Sequence, residues 1–149
     1  MAENLNYDVE GSKCYDNEDE NCATYGKLYD WSTARTVCPS GWHLPSNAEW
    51  GTLVSNVGET TAGTKLKATV GWNNNGNGTD NYGFSALPGG RGGSDGSFSG
   101  VNSSGRWWTA SDGGAIGGYN RYITSTNETV SGTGATAKAN LFSVRCVKD

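Results

Sequence analysis

Apolar and polar positions follow a helical rhythm in one stretch of the chain, Leu28 to Gly58. Trp31, Ala34 and Cys38 recur at i, i+3 and i+7, which predicts a first helix capped by Asp30 or Ser32 and ended by Pro39-Ser40-Gly41. Ser46-Asn47-Ala48-Glu49 then has the form of a capping box, in which the Ser46 hydroxyl and the Glu49 carboxylate satisfy each other's free backbone N–H groups. Trp50, Leu53, Val54 and Val57 line one face of the second helix, and Gly58 suits the left-handed position just past its end. Two helices this short are not stable in isolation, so the pattern also predicts a surface for both to dock on.

Elsewhere the alternation is strand-like or absent. Met1 to Tyr7 predicts an edge strand, and Tyr25 to Tyr29 a strand leading into the first helix. Gly41 to Pro45 is an extended connector, and Thr64 to Ala68 one further helical turn. From Gly71 onward Gly, Asn, Ser and Thr dominate, beginning with a loop from Trp72 to Asn81. Strand-length runs follow at Gly83–Pro88, Arg106–Ser111, Tyr119–Ile123 and Leu141–Val147, with Asp95-Gly96 as a hairpin signal leading into Ser97-Phe98-Ser99. Gly89-Gly90-Arg91-Gly92-Gly93 predicts a flexible turn, and Thr124 to Asn140 a loop. Helices early and strands late define an α+β domain spanning 1–149, with two helices on a small, loop-rich, twisted antiparallel sheet.

Composition sharpens this picture. With 23 Gly, 6 Trp and 7 Tyr but only 34% hydrophobic residues, the core must be small and filled by rings rather than aliphatic chains. A formal charge of -4 offers no basic surface for phosphates, which argues against nucleic acid as a partner. No apolar run has the length of a membrane span. The first residues, Met1 to Asn6, lack the basic and apolar regions of a secretion signal, so Met1 is expected to be internal to a longer or processed chain.

Cys14 and Cys22 bracket the acidic segment Tyr15 to Asn21, and Cys38 and Cys146 stand far apart in the chain. Four cysteines with no CxxC pair, beside a single histidine, favour disulfides over a zinc site and therefore an oxidising compartment.

The segments MAENLNY, CPSGWHLPSNAEW, NGTDNYGFSALPGG, RWWTAS and FSVRCV, in that order, resemble the Fibrobacter succinogenes major paralogous domain family. That family is similar in turn to the C-type lectin-like fold, shared with formylglycine-generating enzymes and the variable proteins of diversity-generating retroelements. The resemblance implies a Cys38–Cys146 bridge from the first helix to the last strand and a Cys14–Cys22 bridge in an N-terminal hairpin. It also implies a bacterial, extracellular or cell-surface setting. The Glu-Pro-Asn, Gln-Pro-Asp and Trp-Asn-Asp signatures of calcium-dependent sugar-binding lectins are missing, and Trp72-Asn73-Asn74 is only a superficial echo.

No nucleophile elbow, phosphate loop or metalloprotease motif occurs, and His43 reads as a structural histidine bonded to backbone, so the chain is expected not to be an enzyme. No cofactor is required. Calcium is the candidate ion, through the oxygens of Asn73, Asn75, Asn77 and Asp80, while the Asp16, Glu18, Asp19, Glu20 run reads as a solvated charge cluster. The rings of Trp72, Tyr82, Trp107, Trp108, Tyr119 and Tyr122, flanked by Asn73, Arg106, Asn120 and Arg121, supply apolar faces and hydrogen-bonding groups suited to a sugar or protein ligand. Adjacent Trp107 and Trp108 point to opposite faces of a strand, so one is expected in the core and the other, with Arg106, Asn120 and Arg121, at a contact surface. The reading in which both pack inside is equally weighted. The expected function is a non-catalytic extracellular module for adhesion or recognition of a glycan or protein. Its alternative is a structural subunit that self-assembles into a filament or surface layer.

Overall fold

The computed structural model describes residues 1–132 and 134–149. Its first helix, α1 (Asp19–Tyr25), follows a 3-10 turn at Tyr15–Asn17 and lies where a solvated loop is expected. Asp19 and Glu20 sit in its first turn, where carboxylates meet the positive end of the helix dipole. After β1 (Leu28–Tyr29) comes α2 (Trp31–Ala34), whose first turn is capped by the Asp30 carboxylate accepting the Thr33 N–H at 3.0 Å. Ser32 is not the cap. Because α2 stops at Ala34, Cys38 lies beyond the helix rather than on it. The reason lies in Pro39, which disfavours helical geometry in the residue before it.

β2 (Trp42–His43) leads to α3 (Asn47–Val57), which forms as the sequence predicts. Ser46 Oγ accepts the Glu49 N–H at 3.2 Å, and Glu49 Oε2 accepts the Ser46 N–H at 2.7 Å. Trp50 and Val57 are buried, with Leu53 and Val54 half-buried against the same cluster. The predicted extra turn appears as α4 (Ala62–Leu66), shifted two residues toward the N-terminus.

The remaining elements are β3 (Gly89–Gly92), β4 (Phe98–Val101), β5 (Ser104–Asp112), β6 (Gly118–Thr124), β7 (Ala135–Thr136), β8 (Phe142–Ser143) and β9 (Val147–Lys148). β5 is the axis. On one side it pairs antiparallel with β6 in the register Arg106↔Tyr122, Trp107↔Arg121, Trp108↔Asn120, and β6 pairs onward with β7. Its other side is tiled by two parallel partners, β3 through Gly90↔Gly105 and β8 through Trp107↔Ser143. β4 and β1 extend these antiparallel to β3 and β8. β2 and β9 form a separate two-stranded ribbon.

The sheet is therefore mixed, not antiparallel. β5 returns from β4 and lies beside β3, so those two strands run the same way. The turn expected at Gly89–Gly93 is instead strand β3. Gly90 has φ 69°, and a Cβ there would sit 2.7 Å from both the Ser99 carbonyl oxygen and the Tyr15 ring. Only glycine fits that packing.

Three other expectations change. Met1 to Tyr7 forms no ladder, only scattered backbone bonds, from the Met1 ammonium to Cys146 O (3.0 Å), from Leu5 N–H to Val144 O (2.8 Å) and from Lys27 N–H to Leu5 O (3.0 Å). Gly83–Pro88 is not a strand, since Ser85 takes φ 50° and the segment makes one bridge, Lys67↔Ala86. The Leu141–Val147 run splits into β8 and β9, and β7 forms inside the stretch expected to be a loop.

Two clusters fill the two sides of β5. One gathers Trp50, Val57, Ala62, Leu66, Trp72, Ala86, Trp107 and Ile123 under α3 and α4. The other gathers Tyr29, Trp31, Ala34, Val37, Leu44, Trp108, Phe142, Val144 and Cys146 around α2. Both expected pairings form, Cys14–Cys22 and Cys38–Cys146, although Cys22 lies on α1 rather than in a hairpin and Cys146 lies between β8 and β9 rather than in a strand. Among the described residues no helix is long and apolar enough to cross a membrane.

Candidate functional site

Trp107 and Trp108 do point to opposite faces of β5, and both are fully buried. Each indole N–H finds an interior acceptor, Trp107 on Asn4 Oδ1 (2.8 Å) and Trp108 on the Tyr29 carbonyl (2.7 Å). The sheet has packing on both faces at this level, so neither ring is presented to a ligand. Trp72 is also interior, donating to the Ala86 carbonyl at 3.0 Å. Arg121 is buried and donates to the Asn47 carbonyl at 3.2 Å. These four residues are packing groups. Tyr82 stands exposed on its loop.

Arg106 behaves differently. It shares a sheet face with Trp108 but lies two residues earlier, past the end of the cover that α2 gives to Trp108. Its guanidinium stacks 4.5 Å from the centre of the Tyr122 ring and 5.7 Å from that of Phe142. Arg106, Asn120, Tyr122, Gly132, Gly134, Ala135 and Thr136 line a cleft of about 420 Å³ with a mainly polar wall. Asn120 is held at its floor by donating to Thr136 Oγ1 (2.9 Å) and the Gly134 carbonyl (3.4 Å). Its Oδ1 accepts a long bond, 3.5 Å, from Arg106.

The next residue across the sheet is Arg91. Gly90 pairs with Gly105, so Arg91 and Arg106 each lie one residue beyond that pair, and Arg91 in turn pairs with Ser99, whose hydroxyl accepts from its Nε at 3.1 Å. Ser99, Arg91, Arg106 and Tyr122 thus stand on four successive strands, with the Ser99–Arg91 and Arg106–Tyr122 pairs joined through the neighbouring Gly90–Gly105 pair. Burial first, and then the nearby Arg91 charge, depress the proton affinity of Arg106. Among the described residues no arginine is ion-paired to a carboxylate. Arg145 offers the contrast. It is buried, pushed down to about 10 by desolvation, and saturated by Asn4 Oδ1 (3.3 and 3.0 Å) and the Phe84 and Ser85 carbonyls. Arg145 is a structural staple, and Arg106 is a cation with coordination to spare.

The calcium candidates do not converge. Asp80 spends its two oxygens on the Ser85 N–H (2.7 Å) and hydroxyl (2.6 Å), and Asn77 Oδ1 accepts the Trp72 N–H at 3.0 Å. Asn75 and Asn77 line a cleft with Lys67 and Glu128, whereas Asn73 and Asp80 are not part of its wall. Within it the buried Lys67 ammonium takes the Thr124 (3.4 Å) and Asn127 (3.2 Å) carbonyls, and burial lowers its pKa. A resident cation thus occupies this cleft beside Asn75 and Asn77. Among the described residues no three His, Cys, Asp or Glu side chains cluster as a metal site.

His43 is bonded to carboxylates, not to backbone. Its Nε2 meets Glu49 Oε1 at 2.7 Å and its Nδ1 meets Asp149 Oδ1 at 2.6 Å, and these two partners raise its pKa. The ring ties β2 to α3 and to the end of β9.

Sequence patterning named Arg106, Asn120 and Tyr122 but missed Arg91, because two glycines on each side leave no periodicity around it. The class defined by fold and site is a disulfide-braced α+β domain with an arginine-lined cleft on a mixed sheet. Residues 1–148 match the Fibrobacter succinogenes major domain, and the chain belongs to that family. No curated protein and no solved structure matches it.

Proposed function

We propose that this chain is a non-catalytic recognition module, displayed outside a bacterial cell, that binds a glycan or protein through the Arg106 cleft. The observation that carries the reading is a half-buried guanidinium, stacked on Tyr122 and opening to a polar cleft, with no carboxylate partner among the described residues. Desolvating a cation without a counter-charge is costly, and a ligand oxygen at Arg106 would offset that cost. Two disulfides fit an oxidising, extracellular setting. A C-type lectin-like architecture agrees with α2 and α3 beside the sheet and with the Cys38–Cys146 link to the chain's last strands. Loops held on so braced a frame are where recognition residues concentrate.

A glycan and protein array probed with the disulfide-intact protein, with calcium and again with a chelator, tests the reading. Retention that survives chelation and disappears in Arg106→Gln is expected. The self-assembling alternative predicts concentration-dependent oligomers without ligand, which light scattering reads directly.

A further inference from the structure

We infer that the Arg91–Arg106 row selects an anionic saccharide, its oxyanion a carboxylate or a sulfate ester. The inference rests on the recognition reading above and adds the ligand's chemical class. Arg91 and Arg106 each follow one residue after Gly90↔Gly105, the pair that joins two adjacent parallel strands, in a protein whose net charge is -4. A chain rich in acid has placed two like charges together on one sheet face and given neither a carboxylate among the described residues. Like charges at that spacing repel, and an oxyanion between them relieves the repulsion. Each guanidinium presents a planar fork that matches two oxygens of a carboxylate or sulfate, the strongest class of hydrogen bond in water-exposed recognition.

The rest of the cleft narrows the class. A protein partner's energy concentrates in a few Trp, Tyr and Arg anchors within well-packed, fully desolvated pockets, whereas Arg106 and Tyr122 stand in an open, mainly polar cleft. Among the described residues its side chains are those of Asn120, Thr136, Arg106 and Tyr122, with Ala135 the aliphatic one. Hydroxyls, amide and guanidinium are the complement of a sugar's hydroxyl rim, and a cleft of about 420 Å³ accommodates a short oligosaccharide rather than a folded surface. Ser99, at the outer end of the row, extends the same chemistry past Arg91.

The experiment is biolayer interferometry on five immobilised polymers: polygalacturonate, its fully methyl-esterified form, dextran sulfate, dextran and polyglutamate. Binding to polygalacturonate or dextran sulfate, absent on the two neutral polymers and weaker on polyglutamate, is expected, and the acidic polymer preferred identifies the oxyanion. Raising the salt concentration weakens it. Arg106→Gln lowers affinity by at least about tenfold and Arg106→Lys by less, since charge remains while the fork is lost. Arg91→Gln, on an exposed side chain, lowers it by about threefold or more while the urea midpoint stays near that of the wild type. Arg35→Gln removes the same charge beside Trp31 and leaves binding unchanged. Equal binding to neutral and acidic polysaccharides overturns the anionic class while leaving the recognition reading intact. Preference for polyglutamate overturns the saccharide in favour of an acidic protein. Binding to none of the five overturns the inference, and the array described above then decides separately whether recognition survives.

Discussion

The two sides of β5 start from equivalent residues and end in different states. Trp107 and Trp108 are adjacent, equally buried, and each satisfied by one interior acceptor. On the Trp107 side, α3, α4 and the loop ending in Ala86 close over the indole, with Trp50 at 6.0 Å and Phe84 at 6.2 Å between ring centres. On the Trp108 side the cover is α2, only four residues long, and the Cys38–Cys146 link. A short helix cannot roof a nine-residue strand, so one end of that face stays open, and Arg106 stands there. One side is sealed by packing. The other is held by a covalent brace that leaves room for a site.

The largest perturbation is to remove the brace. Cys38 and Cys146 are 108 positions apart, and opening so long a loop costs about 4–5 kcal/mol through the entropy of the unfolded chain, read as a drop in the urea midpoint of a Cys38→Ala/Cys146→Ala variant. Cys14 and Cys22 are 8 apart, and the same change there costs about 2–3 kcal/mol. Truncating either ring, Trp107→Ala or Trp108→Ala, costs about 3–5 kcal/mol by the same measurement. If Trp108→Ala proves far cheaper, the braced side is not a packed core. Next comes Lys67→Met, which strands the Thr124 and Asn127 carbonyls and costs about 1–3 kcal/mol in thermal or urea unfolding.

The smallest effect is a pH dependence. His43 is raised by Glu49 and Asp149, so its contribution is full below its ordinary 6.5 and fades as pH climbs through the higher folded value. Glu49 is held down to about 2, first by the Ser46 N–H and then by His43, so its contribution is full above its ordinary 4.5 and fades as acid approaches 2. The clasp is complete between those ordinary values. Exposed on the surface, it contributes under about 1 kcal/mol. Urea midpoints of wild type and His43→Gln across pH 4 to 9 should differ most near pH 5–6 and converge in alkali.

Legibility followed the range of the forces involved. The α3 capping box closes within four residues, so local sequence specifies it completely. Strand β3 was invisible because glycines carry no side-chain pattern, and its strand character comes from Ser99, Tyr15 and Leu141 pressing against it from elsewhere in the chain. The acidic segment read as solvated because its charges dominate, yet the same carboxylates at the start of α1 favour a helix. At the site, the opposed directions of Trp107 and Trp108 were readable from strand geometry. That both would be interior was not, because it depends on two separate covers brought from distant segments. Arg106 was found by its company in the sequence, whereas Arg91 required knowledge of which strand lies beside β5.

The long disulfide also has a mechanical meaning. Every residue between Cys38 and Cys146, including both arginines and the strands that carry them, sits inside a covalent ring. Tension entering through the N-terminal segment and leaving through β9 would first part the Leu5–Val144 contact and then unravel the chain only as far as Cys38. Beyond that point the load passes through sulfur, and the cleft is shielded from stretching. A domain pulled at both ends of its chain would surrender α1, β1 and α2 before any load could stretch the ring that carries the two arginines.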